Sequence, residues 1–408
     1  MLRPTAWLLA LLLAACGDAP PPAATARSSA PPTKVAPPAK PAPPAVTPAP
    51  PAGDPACAAA TAYLTALHSA AEQPAPAIAT LRAAYQNTAL QKLVQASDAA
   101  TARHDDAEVT AALATEGPGA FVAAEYAVHA ALAQWMRHNL KRAAEAKDPG
   151  ERAAAWTAAR CVWDHDLRRL ALALQTRSAE LSTETAREDA AIAAQIDAAF
   201  VAGAAAVTAS PIDERALGPA YETAEKTWFR VIHRELGAAA AAARDGDVVA
   251  AARALGLFTM LRDRLQDRNT PGIALVEAQL RGEPKRIDPA AVLREVDLAL
   301  VKRARKYCSH ALEARLTGTP AGLTSVAEGV AYTRVLLPDM RARLAAKKFD
   351  AEAHLATWQA FADAVDHGDD PEELKKLSDD LVHWNCAYQQ ALGLRECTAS
   401  ADELPAKK

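Results

Sequence analysis

Aromatic residues make up only 5% of the 408-residue chain, and glycines number 17. No run of about 20 consecutive apolar residues occurs, so no membrane-spanning helix is expected. No stretch alternates apolar and polar residues with a period of two, which leaves no convincing strand. A formal net charge of −4, with no cluster of basic residues, argues against a nucleic-acid partner. Cys-x-x-Cys is missing, and with it a structural zinc site or thioredoxin-type chemistry. GxGxxG, a Walker loop, GxSxG and HExxH are absent, as is the ExxH pair of ferritin-like carboxylate sites. The chain is therefore read as a binding or scaffold protein rather than an enzyme.

Alanine dominates what is there. Hydrophobic residues make up 50% of the sequence, and long alanine-rich stretches without glycine or β-branched runs favour helices. The expectation is an all-α protein of long antiparallel helices in side-by-side bundles. Alanine faces let such helices approach closely, and Leu, Val, Phe and Trp fill the seams.

The N-terminus is of another kind. Arg3 precedes a short apolar run, Trp7 to Leu13, which ends in Leu13-Ala14-Ala15-Cys16. The core is too short to span a bilayer and fits a signal peptide. Its ending resembles the lipobox of bacterial lipoproteins. The resemblance implies cleavage before Cys16, acylation of that cysteine (palmitate among the acyl groups) and a cell-envelope protein held on the membrane by its lipid. Gly17, with no Asp directly after Cys16, resembles the outer-membrane sorting type. From Ala19 to about Pro55 the chain is mostly proline and alanine. Such a segment favours extended polyproline II and acts as a spacer with a reach of about 110 Å. The expected organisation is a signal peptide over 1–15, an acylated cysteine and disordered stalk over 16–55, an all-helical repeat domain over 56–394 and a tail over 395–408.

With Cys16 in lipid, five cysteines remain, an odd number for an oxidising compartment. At least one is free or paired outside the chain. Cys386 and Cys397 are the expected disulfide, because Gly393 should end the last helix and let the chain fold back. The pairing of Cys57, Cys161 and Cys308 stays open.

Within the helical part, Pro118, Pro219 and Pro320 are spaced by about 101 residues, with Gly117, Gly218 and Gly318 just before them. Each proline is read as opening a long helix. Asp148, Asp247 and Asp350 then stand in short breaks as N-caps of the next helix. Ile196-Asp197 and Val296-Asp297, with Ser97-Asp98 as a weaker copy, precede the prolines by about twenty residues. Three diverged copies of a unit of roughly 100 residues are expected. Phe121, Val128, Leu132, Trp135, Met136 and Leu140 fall on one helix side, as do Val292, Val296, Leu300, Ala304, Tyr307 and Ala311. Trp135, Trp163, Trp228, Trp358 and Trp384 are expected as core or groove fillers.

Chemistry-bearing groups are sparse. Glu125 and His129 stand four apart on one helix face, in the unit whose second helix carries Asp164, His165 and Asp166. If the two helices are antiparallel neighbours, Glu125, His129, Asp164 and His165 could converge on a transition metal. Solvent-exposed helix pairing is the simpler explanation, since composition alone gives about five His–carboxylate pairs at helical spacing. His310-Ala311-Leu312-Glu313 resembles part of the GxHxxE motif of imelysin-type periplasmic proteins, with Cys308 in the glycine position. Those are secreted or acylated helical proteins with repeated bundles, associated with iron uptake. The resemblance implies His310 and Glu313 as alternative metal ligands, and a metal- or haem-binding role as the alternative function. His233-Arg234-Glu235, Arg262-Asp263-Arg264 and Asp267-Arg268 suggest an anionic-ligand pocket or simply a charged helix surface. The leading expectation is a lipid-anchored envelope protein whose helical module binds another envelope protein or a small ligand.

Replacing Cys16 with Ser should leave uncleaved precursor or untethered protein. Cell fractionation checks it, and a wild-type-like membrane fraction from the variant would overturn the anchor.

Overall fold

The computed structural model describes residues 55–71, 78–178, 191–368 and 370–399. The signal peptide, Cys16 and the Pro/Ala-rich stalk lie outside the described residues. The described chain is all-helical, with no strand among the described residues. Helices α1 (Pro55–Ala71), α2 (Ile78–Tyr85), α3 (Ala89–Thr101) and α4 (Asp105–Ala114) lead into the long α5 (Ala120–Glu145). Next, α6 (Pro149–Val162) passes through a π-helical turn, Trp163–Leu167, into α7 (Arg168–Ser178). A second stretch holds α8 (Ile192–Thr208), α9 (Glu214–Lys226), α10 (Phe229–Arg244), α11 (Val248–Gln266) and α12 (Thr270–Arg281). The last comprises α13 (Pro289–Tyr307), the single turn α14 (His310–Glu313), α15 (Pro320–Arg343), α16 (Ala351–His367) and α17 (Pro371–Ala391). Among the described residues no helix is long and apolar enough to cross a membrane.

Aspartates set several of the helix starts. Asp148 accepts from the Glu151 amide at 2.7 Å, Asp247 from Val249 at 2.8 Å and Asp350 from Glu352 at 2.9 Å. Each satisfies an amide that the first turn leaves unpaired. The prolines behave less uniformly. Pro320 is the first residue of α15 and Pro118 lies in the turn before α5, but Pro219 is inside α9. The cause is Asp213, which caps α9 earlier by accepting from Ala216 at 3.0 Å. Gly117 and Gly318 adopt positive φ in turns. Gly218 is helical instead, and its missing Cβ makes room for Thr324 of α15.

The buried apolar residues form one continuous core. Val128, Leu132, Met136 and Leu140 of α5 are buried, as are Val292, Val296, Leu300 and Ala304 of α13. Trp163, Trp228 and Trp358 are buried, while Trp135 and Trp384 are partly so. α5 packs against α6 and α11, α9 against α8 and α15, and α13 against α15 and α17. The three-residue link between α5 and α6 makes that pair an antiparallel hairpin.

At the C-terminal end Cys386 and Cys397 are joined in a disulfide, with Cα atoms 4.9 Å apart and Gly393 at φ +98° between them. The first residues of the expected tail are thereby packed. Thr398 is buried, and its amide donates to Gln389 at 2.8 Å. Cys161 is also disulfide-bonded, whereas Cys308 is a free, buried thiol.

Close approach of helices is concentrated at glycines. Trp156 of α6 lies over Gly203 of α8, donating from Nε1 to the Phe200 carbonyl at 3.0 Å. A Cβ at Gly203 would intrude into the indole ring. Gly203→Ala should therefore lower the thermal and urea midpoints, with a loss of about 1–3 kcal/mol, although alanine gains about 1 kcal/mol in helix propensity. An unchanged or raised midpoint would refute the packing argument.

Candidate functional site

Helix α5 carries two separate constellations. Near its N-terminal end His129 is fully buried. Its Nδ1 lies 2.8 Å from Asp166 Oδ1, and its Nε2 lies 3.4 Å from Glu125 Oε1. Arg169 donates to Glu125 at 3.1 Å. Tyr63 of α1 is buried close by, its hydroxyl without a hydrogen-bond partner among the described residues. Burial opposes charging of His129, but the carboxylates of Asp166 and Glu125 outweigh it and raise the pKa to about 9. Glu125 is held below its usual range: burial alone would raise it, yet the contacts with His129 and Arg169 prevail.

This grouping differs from the expected one. Asp166, not Asp164 or His165, reaches His129, because the π turn at Trp163–Leu167 carries one residue more than an α turn and shifts the facing position. Asp164 instead accepts from Arg160 of its own helix at 3.2 Å. His165 stands half-buried beside it and is not among the groups around Glu125. A histidine ligand must be neutral with a nitrogen open to the metal. Neither nitrogen of His129 is open: Nδ1 lies against Asp166, and Nε2 stands 3.4 Å from both Glu125 and the Arg169 guanidinium, while the two carboxylates favour the protonated ring. The cluster is thus a balanced set of two carboxylates, an imidazolium and a guanidinium.

The alternative pair is more open. His310 uses Nδ1 on Ser325 Oγ at 3.0 Å, and Glu313 is exposed on the single turn α14. Burial and then Lys306 push the His310 pKa down. Among the described residues no three His, Cys, Asp or Glu side chains are placed to hold a metal ion together.

The second constellation lies toward the C-terminal half of α5, where a cavity of about 850 Å³ opens between α3, α5, α9 and α11. Its wall presents Arg103, Arg137, Lys141, Arg142 and Arg264, against the carboxylates of Glu145 and Asp263. Thr101, Gln134, His138 and Tyr221 complete the polar lining. Burial, then Arg142 and Lys141, lowers the His138 pKa.

Behind this wall is a buried charge cluster. Arg137 contacts Glu225 at 3.0 Å, and Arg264 pairs with the same Oε1. Lys226 bonds to the other oxygen of Glu225 at 2.9 Å, pairs with Glu222 and lies 3.5 Å from Glu328. Its ammonium also stands 5.4 Å and 5.9 Å from the ring centres of Tyr221 and Tyr332. Burial works against ionising Glu225, but Lys226, Arg264 and Arg137 overcome it and hold the carboxyl far below its normal range. Burial raises Glu222 to about 8. It also lowers Arg137, together with the charge of Arg264, to about 10. Two guanidinium groups therefore share one carboxylate oxygen at the edge of the cavity, while Arg103 is paired with Asp105 and Asp263, Lys141 stands 3.8 Å from Glu145 and Arg142 is held by Glu151.

Of the charged groups suspected from sequence, Asp263 and Arg264 line this cavity, and Arg103 pairs with Asp263. The others are committed elsewhere. Arg262 contacts Glu108 at 3.2 Å and Glu277 at 3.4 Å, Asp267 accepts from Arg303 at 2.6 Å, and Arg268 donates to the Ala399 carbonyl at 2.8 Å. His233 bonds to Asp297 at 2.7 Å. Sequence reasoning missed Arg137, Glu222, Glu225 and Lys226. The available signal was a run of charged residues in α9 on the turns that also carry Leu217, Ala220 and Ala224. Comparison with family models, curated proteins and solved structures gives no match.

The His129 cluster has a measurable pH signature. Its folded pKa, about 9, lies above the ordinary value of 6.5. The stabilisation is therefore complete below about pH 6.5 and is lost as pH rises through 9. Urea unfolding of wild type and His129→Gln should differ most at pH 6, by on the order of 3 kcal/mol, and converge near pH 10. A difference that does not change with pH would sink the assignment.

Proposed function

We propose that this is a lipid-anchored envelope protein whose helical domain binds a small anionic ligand, without a catalytic step, in the cavity between α3, α5, α9 and α11. The carrying observation is the make-up of its wall: five arginine and lysine side chains line it, and three of the carboxylates that pair with them, Asp105, Glu151 and Glu225, stand outside the lining. Arg137 and Arg264 are fixed by Glu225 before any ligand arrives, so little ordering is required on binding. The anchor rests on the likeness of Leu13-Ala14-Ala15-Cys16 to a lipobox and the outer-membrane location on Gly17, with no Asp directly after Cys16, and the stalk would hold the cavity away from the bilayer.

The domain is further proposed to descend from three copies of one helical unit. The matching caps at Asp148, Asp247 and Asp350 support it, and the interior position of Pro219 marks where the middle copy has diverged. In this reading the cavity belongs to the first unit and the middle one.

Inorganic pyrophosphate is a suitable probe, because its dense charge needs several cations at once. Calorimetric titration should show binding that weakens as salt is raised. Lys141→Glu combined with Arg142→Glu should weaken it at least tenfold while leaving the unfolding midpoint nearly unchanged. Pyrophosphate that fails to bind at low salt, or binds the double variant equally well, counts against the reading.

A further inference from the structure

The cationic cavity has a neighbour of opposite character. A second hollow, of about 440 Å³, lies between α3, α5 and α6, further toward the N-terminal end of α3. Its wall is mainly apolar, with Ala89, Leu93 and Ala96 of α3, Trp135 of α5, and Ala154 and Ala158 of α6, and its polar members are Lys92, Asn139 and Arg142. The buried Nε1 of Trp135 has no hydrogen-bond partner among the described residues. Ala89, Ala96 and Ala154 are exposed, so the hollow is an open trough whose floor is built from small side chains. Arg142 lines both spaces. Its guanidinium reaches Asn139 of the trough at 3.5 Å and is otherwise held by Glu151 at 2.8 Å.

A charged chamber joined through one arginine to an apolar trough is complementary to a molecule with an anionic end and a hydrocarbon end. Resting on the anion-binding reading above, we propose that the ligand is a single-chain phospholipid with a terminal phosphate. The phosphate enters the chamber among Arg137, Lys141 and Arg142, and the first part of the acyl chain lies in the trough against Trp135 and the alanines. A phosphomonoester carries up to two charges and three acceptor oxygens, which suits a wall of several cations better than a carboxylate. Hydrocarbon leaving water for the alanine and tryptophan surface supplies the remaining affinity, and burial of two or three methylenes suffices for a tenfold gain.

The test compares dodecanoyl lysophosphatidate, below its micellar concentration, with glycerol 3-phosphate on the full chain carrying Cys16→Ser. The lysophospholipid should bind at least tenfold more tightly and change Trp fluorescence. Ala154→Phe and Ala96→Phe lie on exposed positions of different helices and should each remove that gain without altering glycerol 3-phosphate binding. Equal affinity for the two ligands, or an acyl gain that survives both trough variants, overturns the proposal. If pyrophosphate binds in that case, the anion-binding function stands and only the acyl assignment falls. If dodecyl maltoside binds as tightly as the lysophospholipid, the charged chamber plays no part and the proposal is likewise overturned.

Discussion

Three cations converge on the Glu225 carboxylate, and the helices that carry them cannot separate without leaving a charge unpaired in the interior. Arg137 comes from α5, Lys226 from α9 and Arg264 from α11, and Glu328 ties α15 to the same centre. Replacing such a cluster with apolar residues is often neutral, but removing one member costs about 3–5 kcal/mol because its partners stay buried and charged. The cluster therefore fixes which helices are neighbours more than it adds to net stability. An alanine-lined bundle needs that kind of selection, since many of its faces are alike and could pack in several registers.

The small side chains solve the opposite problem, how to bring backbones close enough for large rings to be buried at the crossings. Trp156 over Gly203 and Trp358 over Gly329 place an aromatic ring where a Cβ would have been, and at Gly256 the Cβ of Tyr126 takes that place. With aromatics at 5% of the chain, each must cover much apolar surface. Core arrangement is thus set by a few ring-on-glycine contacts and by one ionic centre, with alanine filling the distances between them.

This division explains what was legible in the sequence. Helices were readable because the 3.6-residue period of Val292, Val296, Leu300 and Ala304 depends only on local geometry. Caps at Asp148, Asp247 and Asp350 were readable for the same reason. The start of α9 was misread, because Pro219 was taken to open a helix that Asp213 had already begun. Glu125 and His129 were correctly placed on one face, but the π turn substitutes Asp166 for Asp164 and His165, and nothing in the local spacing announces such a turn. The ionic centre was missed for a different reason. Glu225 and Lys226 are adjacent charges of the kind that usually face water, and only contacts with Arg137, 88 positions away, and with Arg264 make their burial tolerable.

The ionic centre and the cavity are consequences of the same arrangement. In a bundle interior two guanidiniums can be retained on one carboxylate oxygen only if part of their charge is still relieved by solvent, and the cavity provides that access. Side-chain exposure of Arg137 at 27% and of Arg264 at 18%, against 1% for Glu225, shows where the relief comes from. In the anion-binding reading proposed above, an anion entering the chamber would take over the role of that water and meet donors already held in place from behind. The electrostatic term is then larger than for mobile surface lysines, because the cations lie next to a low-dielectric wall and need no rearrangement. Structural stability and the proposed ligand affinity would then be coupled through Glu225, the group that holds Arg137 and Arg264 at the cavity wall.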